Sequence, residues 1–226
     1  MSPATVHHPT ALIDPPTRGD QHLLLRPVRP QDAPLLAQLL AGLSPASRRN
    51  RFHGVVALPF AAVQRLCTVD QVRHLALVVT TGRDGGERLL ADARCVVADD
   101  GEAADFALLV DDGWRRRGLG DWALQALEQA AGQAGVRWLS GDVLADNTAM
   151  LALLRRRGFA LCPDPEDDRL VRAERRLGLP SAVAPRRRVG WPSWLRGLLP
   201  GNVPRPAADG CAGGSATATH TPGAVA

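Results

Sequence analysis

The stretch DFALLVDDGWRRRGLGDWALQALEQAAGQ, residues Asp105–Gln133, decides the fold. Its first six residues, Asp105–Val110, read as a strand that ends in the acidic turn Asp111-Asp112-Gly113. Arg115-Arg116-Arg117-Gly118-Leu119-Gly120 then opens a long helix. Apolar residues recur along it at helical spacing (Leu119, Trp122, Ala123, Ala126, Leu127, Ala130), and Gly135 stops it. Glycines at a helix entry let the backbone approach a ligand closely. The unpaired N–H groups there, together with the helix dipole, suit a pyrophosphate. Arginines add charge-assisted contacts. Read alone, R-x-x-G-x-G is equally the start of an ordinary helix carrying a solvated arginine cluster.

Outward from this stretch, the chain alternates strand and helix signals. His22–Arg29 reads as a strand. Asp32 is placed to cap a helix with Pro34 in its first turn and Gly42 at its end. Ser44-Pro45 opens a second short helix through Arg51, and Pro59–Val69 makes a third. Leu75–Thr80 and Arg88–Val97 form a hairpin about the turn Gly82–Gly86. Beyond the long helix come a strand at Trp138–Leu144, a helix at Thr148–Arg157 stopped by Gly158, and closing strands at Phe159–Cys162 and Leu170–Glu174. Strands in a block followed by strand-helix-strand give an α/β (α+β) class, a mixed sheet with helices on its faces.

Twenty-six residues beyond Gly120, after the next strand, Asp146-Asn147 opens the helix that ends in Gly158-Phe159. Strand, R-x-x-G-x-G, helix, strand, Asn, helix, G-F is the signature order of the GNAT superfamily of acyl-CoA-dependent N-acetyltransferases, and this sequence resembles it over about Leu23–Leu177. LSPASRRNRFHG (Leu43–Gly54), DFALLVDDGWRRRGLG and VLADNTAMLALLRRRGF look like the acetyltransferase domain of bacterial protein-lysine acetyltransferases. The resemblance implies a mostly antiparallel sheet whose strands Asp105–Val110 and Trp138–Leu144 splay around an acyl-pantetheine arm. Backbone groups of Leu108, Leu109 and Val110 would hold the arm. Arg115, Arg116, Arg117, Gly118, Leu119, Gly120 and Asp121 would hold the pyrophosphate of acetyl-CoA, and Asn147 would touch the pantetheine. A plain helix N-cap is the alternative role for Asn147.

Acetyl transfer needs a neutral amine, and a lysine is neutral in only roughly one molecule in 2,500 at pH 7. A base is therefore useful. The resembling enzymes carry a glutamate where Asp105 stands, so Asp105 is the candidate catalytic base; its shorter side chain calls for a water relay. Its bland alternative is a solvated carboxylate at a strand edge. Many superfamily members protonate the departing thiolate with a tyrosine on the last helix; here that position is Leu154, and the chain contains no tyrosine at all. A thiol with pKa of about 8.5 can leave as the thiolate. Cys162 is read as a core residue rather than a substitute.

These features imply an acetyl-CoA-dependent N-acetyltransferase working by direct attack in a ternary complex, on a primary amine, with a protein lysine slightly favoured. The alternative class is a non-catalytic acyl-CoA-binding sensor, which would also keep R-x-x-G-x-G with a weakened base position. Nucleic-acid binding is disfavoured by where the charge lies. The net charge of +4 comes from 27 basic residues, all arginine, against 23 acidic ones, but residues 1–22 carry −1, residues 23–179 only +1 and residues 180–226 +4. The cysteines Cys67, Cys95, Cys162 and Cys211 show no C-x-x-C pair, so reduced, structural thiols and no metal are expected. Residues 1–22 read as a disordered leader without a secretory signal, 23–179 as the single folded domain, and 180–226 as a disordered Pro/Gly/Ala-rich tail. No apolar run approaches the roughly 20 residues of a membrane span, so a cytoplasmic protein is expected. RRRVGWPSWLRGLL, residues Arg186–Leu199, is the one stretch suited to weak attachment to an acidic surface.

Overall fold

A computed structural model describes residues 22–53, 58–82 and 86–178. The expectations for the leader, for the tail with Arg186–Leu199, and for Cys211 lie outside them. The described chain runs β1 (Leu23–Pro27), α1 (Ala33–Gly42), α2 (Pro45–Phe52), α3 (Phe60–Cys67), β2 (His74–Thr81), β3 (Arg88–Val97), β4 (Ala103–Val110), α4 (Leu119–Gln133), β5 (Trp138–Leu144), α5 (Thr148–Arg156), β6 (Ala160–Pro163) and β7 (Leu170–Arg176). Every expected element is present in the expected order. Among the described residues no helix is long and apolar enough to cross a membrane.

The seven strands form one sheet in the order β1-β2-β3-β4-β5-β7-β6. All neighbours are antiparallel except β4 and β5, which run parallel. The parallel contact is short. It pairs Ala103 with Trp138, Ala104 with Leu139 and Asp105 with Ser140, and stops there, although β4 continues to Val110 and β5 to Leu144. The sheet therefore forks. Gly141 sits in the crotch, where a β-carbon would lie 2.9 Å from the Phe106 ring and 3.1 Å from its carbonyl oxygen. Only glycine allows that approach without moving Phe106.

Strand alternation divides the core in two. On one face, Ala104 and Phe106 of β4 and Leu139 and Val143 of β5 pack with Leu119, Trp122, Leu124 and Leu127 of α4 and Leu151 and Leu154 of α5. On the other, Leu109 of β4, Leu89 of β3, and Ala76 and Val78 of β2 pack with Leu36 and Leu39 of α1 and Val63 and Leu66 of α3. Burying a leucine fully contributes roughly 1.5–3 kcal/mol, so these two layers hold the sheet between helices.

Asp32 does not cap α1 as expected; its side chain makes no bond to that helix. Arg26, buried on β1, demands a counter-charge, and Asp32 supplies it through two bonds of 2.7 and 2.8 Å while also accepting from the Arg29 N–H. Burial alone would raise the Asp32 pKa, but these donors outweigh it and hold it below the usual carboxylate range. Cys162 is also not core. It is half-buried on the edge strand β6, whereas Cys67 and Cys95 are buried free thiols pushed up to about 12 by burial.

Candidate active site

The fork exposes a specific set of backbone groups. The Asp111 N–H donates to Leu90 of β3, and the Ala103 carbonyl accepts from Ala98 just beyond β3. On the opposite side, the Glu102 carbonyl accepts from Arg137 and Trp138 at the start of β5. Alternation along β4 then directs the N–H and C=O of Leu108 and Val110 into the fork, and those of Leu109 toward β3. Leu109, grouped with its neighbours on the sequence, thus presents its polar backbone to the β3 ladder and its side chain to the smaller core. Leu108 and Val110 alone of the three face the gap.

Helix α4 begins beside that gap. Gly118 holds φ = +84°, a left-handed conformation that glycine adopts without steric cost, and no side chain caps the helix above it. A β-carbon at Gly120 would lie 3.5 Å from Val110 Cγ2 and 3.6 Å from Leu108 Cδ2, so the helix entrance and the open edge of β4 are in contact. The first N–H groups of a 15-residue helix, with no side-chain cap among the described residues, lie next to open strand groups, a geometry suited to an anion. Leu119 itself is fully buried and anchors this entrance to the core.

The arginines of the motif differ in their engagements. Arg115 bonds Ser47 of α2 at 2.7 Å and pairs with Asp112 at 3.0 Å. Arg117 stacks over the Trp114 ring at 4.8 Å. Arg116, in a left-handed conformation at φ = +59°, is exposed. Asp121 pairs with Arg157, which is also gripped by Glu128. Asn147 accepts from the Met150 N–H and so caps α5. Asp112 is a node that sequence reading did not single out: it accepts from the Ser44 N–H and the Ser47 hydroxyl as well as Arg115, tying α2 to the loop before α4. Arg49 of α2 makes a second tie, to Asp146, at 2.6 Å.

Asp105 stands at the vertex of the fork, on the last paired residue of β4 and on the face away from α4. It is not a solvated edge carboxylate: it is only 6 % exposed. Ser140, its partner across the strand pair, donates to Oδ1 at 2.6 Å, and Arg172 of β7 donates to the same oxygen at 3.0 Å. Arg172 also bonds Ser140 Oγ at 2.6 Å and reaches Asp142 and Glu174. Burial raises the Asp105 pKa and Arg172 only partly offsets it, leaving a value of about 6. Such a carboxyl is still roughly nine-tenths ionised at pH 7 yet far more basic than a free aspartate. Leu154, which the resemblance sets at the tyrosine position, is completely buried in the larger core.

Residues 57–159 match the Acetyltransferase (GNAT) family. The chain is 32 % identical over 142 residues to Acetyltransferase Pat of Mycolicibacterium smegmatis, an alignment covering 62 % of this chain and 42 % of the relative. It therefore spans about two fifths of that protein's length. It is 29 % identical over 153 residues to Acetyltransferase PA5475 of Pseudomonas aeruginosa, covering 67 % of this chain and 82 % of that one. Among solved structures, the GNAT domain of S. lividans PAT superposes with a TM-score of 0.62 at 25 % identity, over 69 % of this chain and 90 % of that chain.

Proposed function

We propose that the folded body of this chain is an acetyltransferase domain of the GNAT family, and that the protein is an acetyl-CoA-dependent N-acetyltransferase acting by direct attack of a primary amine in a ternary complex. The observation that carries the reading is the fork: two unpaired backbone positions, Leu108 and Val110, directly beside an uncapped, glycine-lined helix entrance. Acetyl-CoA supplies an activated acetyl thioester. Its pyrophosphate is assigned to the α4 entrance from Gly118 to Gly120 with Arg116 nearest to free, and its amide arm to Leu108 and Val110. Asp105 accepts the proton that the acceptor ammonium must lose, directly or through water. With Leu154 in the tyrosine position, no side chain there donates a proton to the leaving thiolate, which departs as the anion.

A protein lysine is the favoured acceptor, supported by the similarity to Acetyltransferase Pat of Mycolicibacterium smegmatis and to the GNAT domain of S. lividans PAT. The test is acetyl transfer from acetyl-CoA to panels of small amines and of proteins, with Asp105→Asn alongside. The expected outcome is transfer by the wild type and a rate lower by on the order of 10²–10⁴ in Asp105→Asn, with acetyl-CoA affinity retained. Tight acetyl-CoA binding without transfer to any amine would replace this reading with that of a non-catalytic acyl-CoA sensor.

A further inference from the structure

Among the described residues, both side-chain hydrogen bonds to the Asp105 carboxylate end on the same oxygen. Ser140 and Arg172 converge on Oδ1, and each also bonds the other, closing a three-membered network inside the sheet. The guanidinium is itself largely buried, at 13 % side-chain exposure, and is locked by Asp142 and Glu174 on its other nitrogens. An arginine held on several sides acts as a rigid plate, so the carboxylate it meets is fixed in orientation. We propose that Arg172 and Ser140 are positioning residues that fix Oδ1 of Asp105 and leave Oδ2 as the oxygen that takes the proton from the acceptor amine.

This inference rests on Asp105 being the base, and adds how a buried carboxyl remains available for that work. Removing a carboxylate from water favours its protonated form; a partner cation within hydrogen-bond distance opposes this, usually by about 1–3 pKa units. The step itself is simple: the N–H bond of the ammonium breaks, its proton passes to Oδ2, and the freed nitrogen lone pair becomes the nucleophile. Without Arg172, Asp105 would face Asp142 with no cation between them and would hold its proton at neutral pH. The groups around it are Ser140 and Asp142 of β5, Arg172 and Glu174 of β7, and the Cys95 thiol of β3, with His53 at the end of α2 meeting Asp142.

The experiment is the pH dependence of kcat, at saturating acetyl-CoA and amine, for the wild type, Arg172→Met, Arg172→Lys, Ser140→Ala, His53→Gln and Asp105→Asn. In Arg172→Met the acidic limb moves up by about two pH units, so the rate falls about tenfold at pH 7 and recovers to within about twofold near pH 9. Arg172→Lys, which keeps the charge, restores most of the wild-type limb, and Ser140→Ala moves it in the same direction by less. His53→Gln leaves the limb where it is. A loss in Arg172→Met that is uniform across pH, with the limb unmoved, overturns the positioning role. Should Arg172→Met fail to fold by circular dichroism, an unmoved limb in Ser140→Ala overturns it instead. Wild-type kcat and an intact limb in Asp105→Asn would sink the base assignment, an outcome separate from either.

Discussion

At Gly120 the helix entrance and the open strand edge are so close that a single side chain divides them. Gly120→Glu places a β-carbon at contact distance from Leu108 and Val110 and an anion where a pyrophosphate is assigned, so it removes space and reverses charge together. Acetyl-CoA at about 100 times its Kd should stabilise the wild type by roughly 2.7 kcal/mol. Thermal unfolding with and without acetyl-CoA should show an upward shift of Tm in the wild type and none in Gly120→Glu, the unliganded Tm values staying comparable. An equal shift in both proteins would move the pyrophosphate elsewhere. The chemistry of Asp105 belongs to the same scale. Because its carboxyl is pushed up to about 6 rather than down, its ionised form is the one lost on mild acidification. Activity that depends on it should therefore decline as pH falls through about 6, well above the range where an ordinary aspartate titrates.

Among the elements, α2 is held by polar ties rather than by a deep apolar face. Ser44, Ser47 and Arg115 all converge on Asp112, and Arg49 reaches Asp146. Asp112→Ala breaks three of these contacts at once. It should cost about 1–2 kcal/mol, given that the node is partly exposed, which for a domain of this size lowers Tm by roughly 2–8 °C. A variant melting with the wild type would show that α2 is held by its buried Phe52 and the Arg49–Asp146 pair without the Asp112 node. The elements themselves were legible in the sequence because turns and caps are local: Gly42, Gly135 and Gly158 mark helix ends that the structure keeps within a residue or two. The R-x-x-G-x-G entrance was legible for the same reason. What escaped was long-range. The Ser47–Arg115 and Asp105–Arg172 contacts join positions more than sixty residues apart. The insertion of β7 between β5 and β6, which delivers Arg172 to Asp105, leaves no trace in local pattern. The turn of Leu109 away from its neighbours follows from strand parity, which becomes readable only when one ladder bond is known. The N-cap role of Asn147 was visible as an alternative, since any Asn before a helix invites it.

Over the whole molecule, the sheet behaves as two panels, β1-β2-β3-β4 and β5-β7-β6, clasped by three residue pairs and backed by one continuous core under α4 and α5. The clasp is where Asp105, Ser140 and Arg172 meet, so the panels are joined by charge at the vertex and by apolar packing behind it. Beyond the vertex, one strand serves two masters: alternate amides of β4 are locked to β3 while Leu108 and Val110 look across the gap. Amide protons report that division directly. Without ligand, those of Ala107 and Leu109 should survive in heavy water long after those of Leu108 and Val110 have been replaced, a fast-slow alternation within four consecutive residues. Saturating acetyl-CoA should slow the two fast sites by at least about tenfold and erase the alternation. Uniform slowing of all four, read residue by residue in nuclear magnetic resonance spectra, would instead mean that the ligand tightens the sheet from a distance and never lies against this edge.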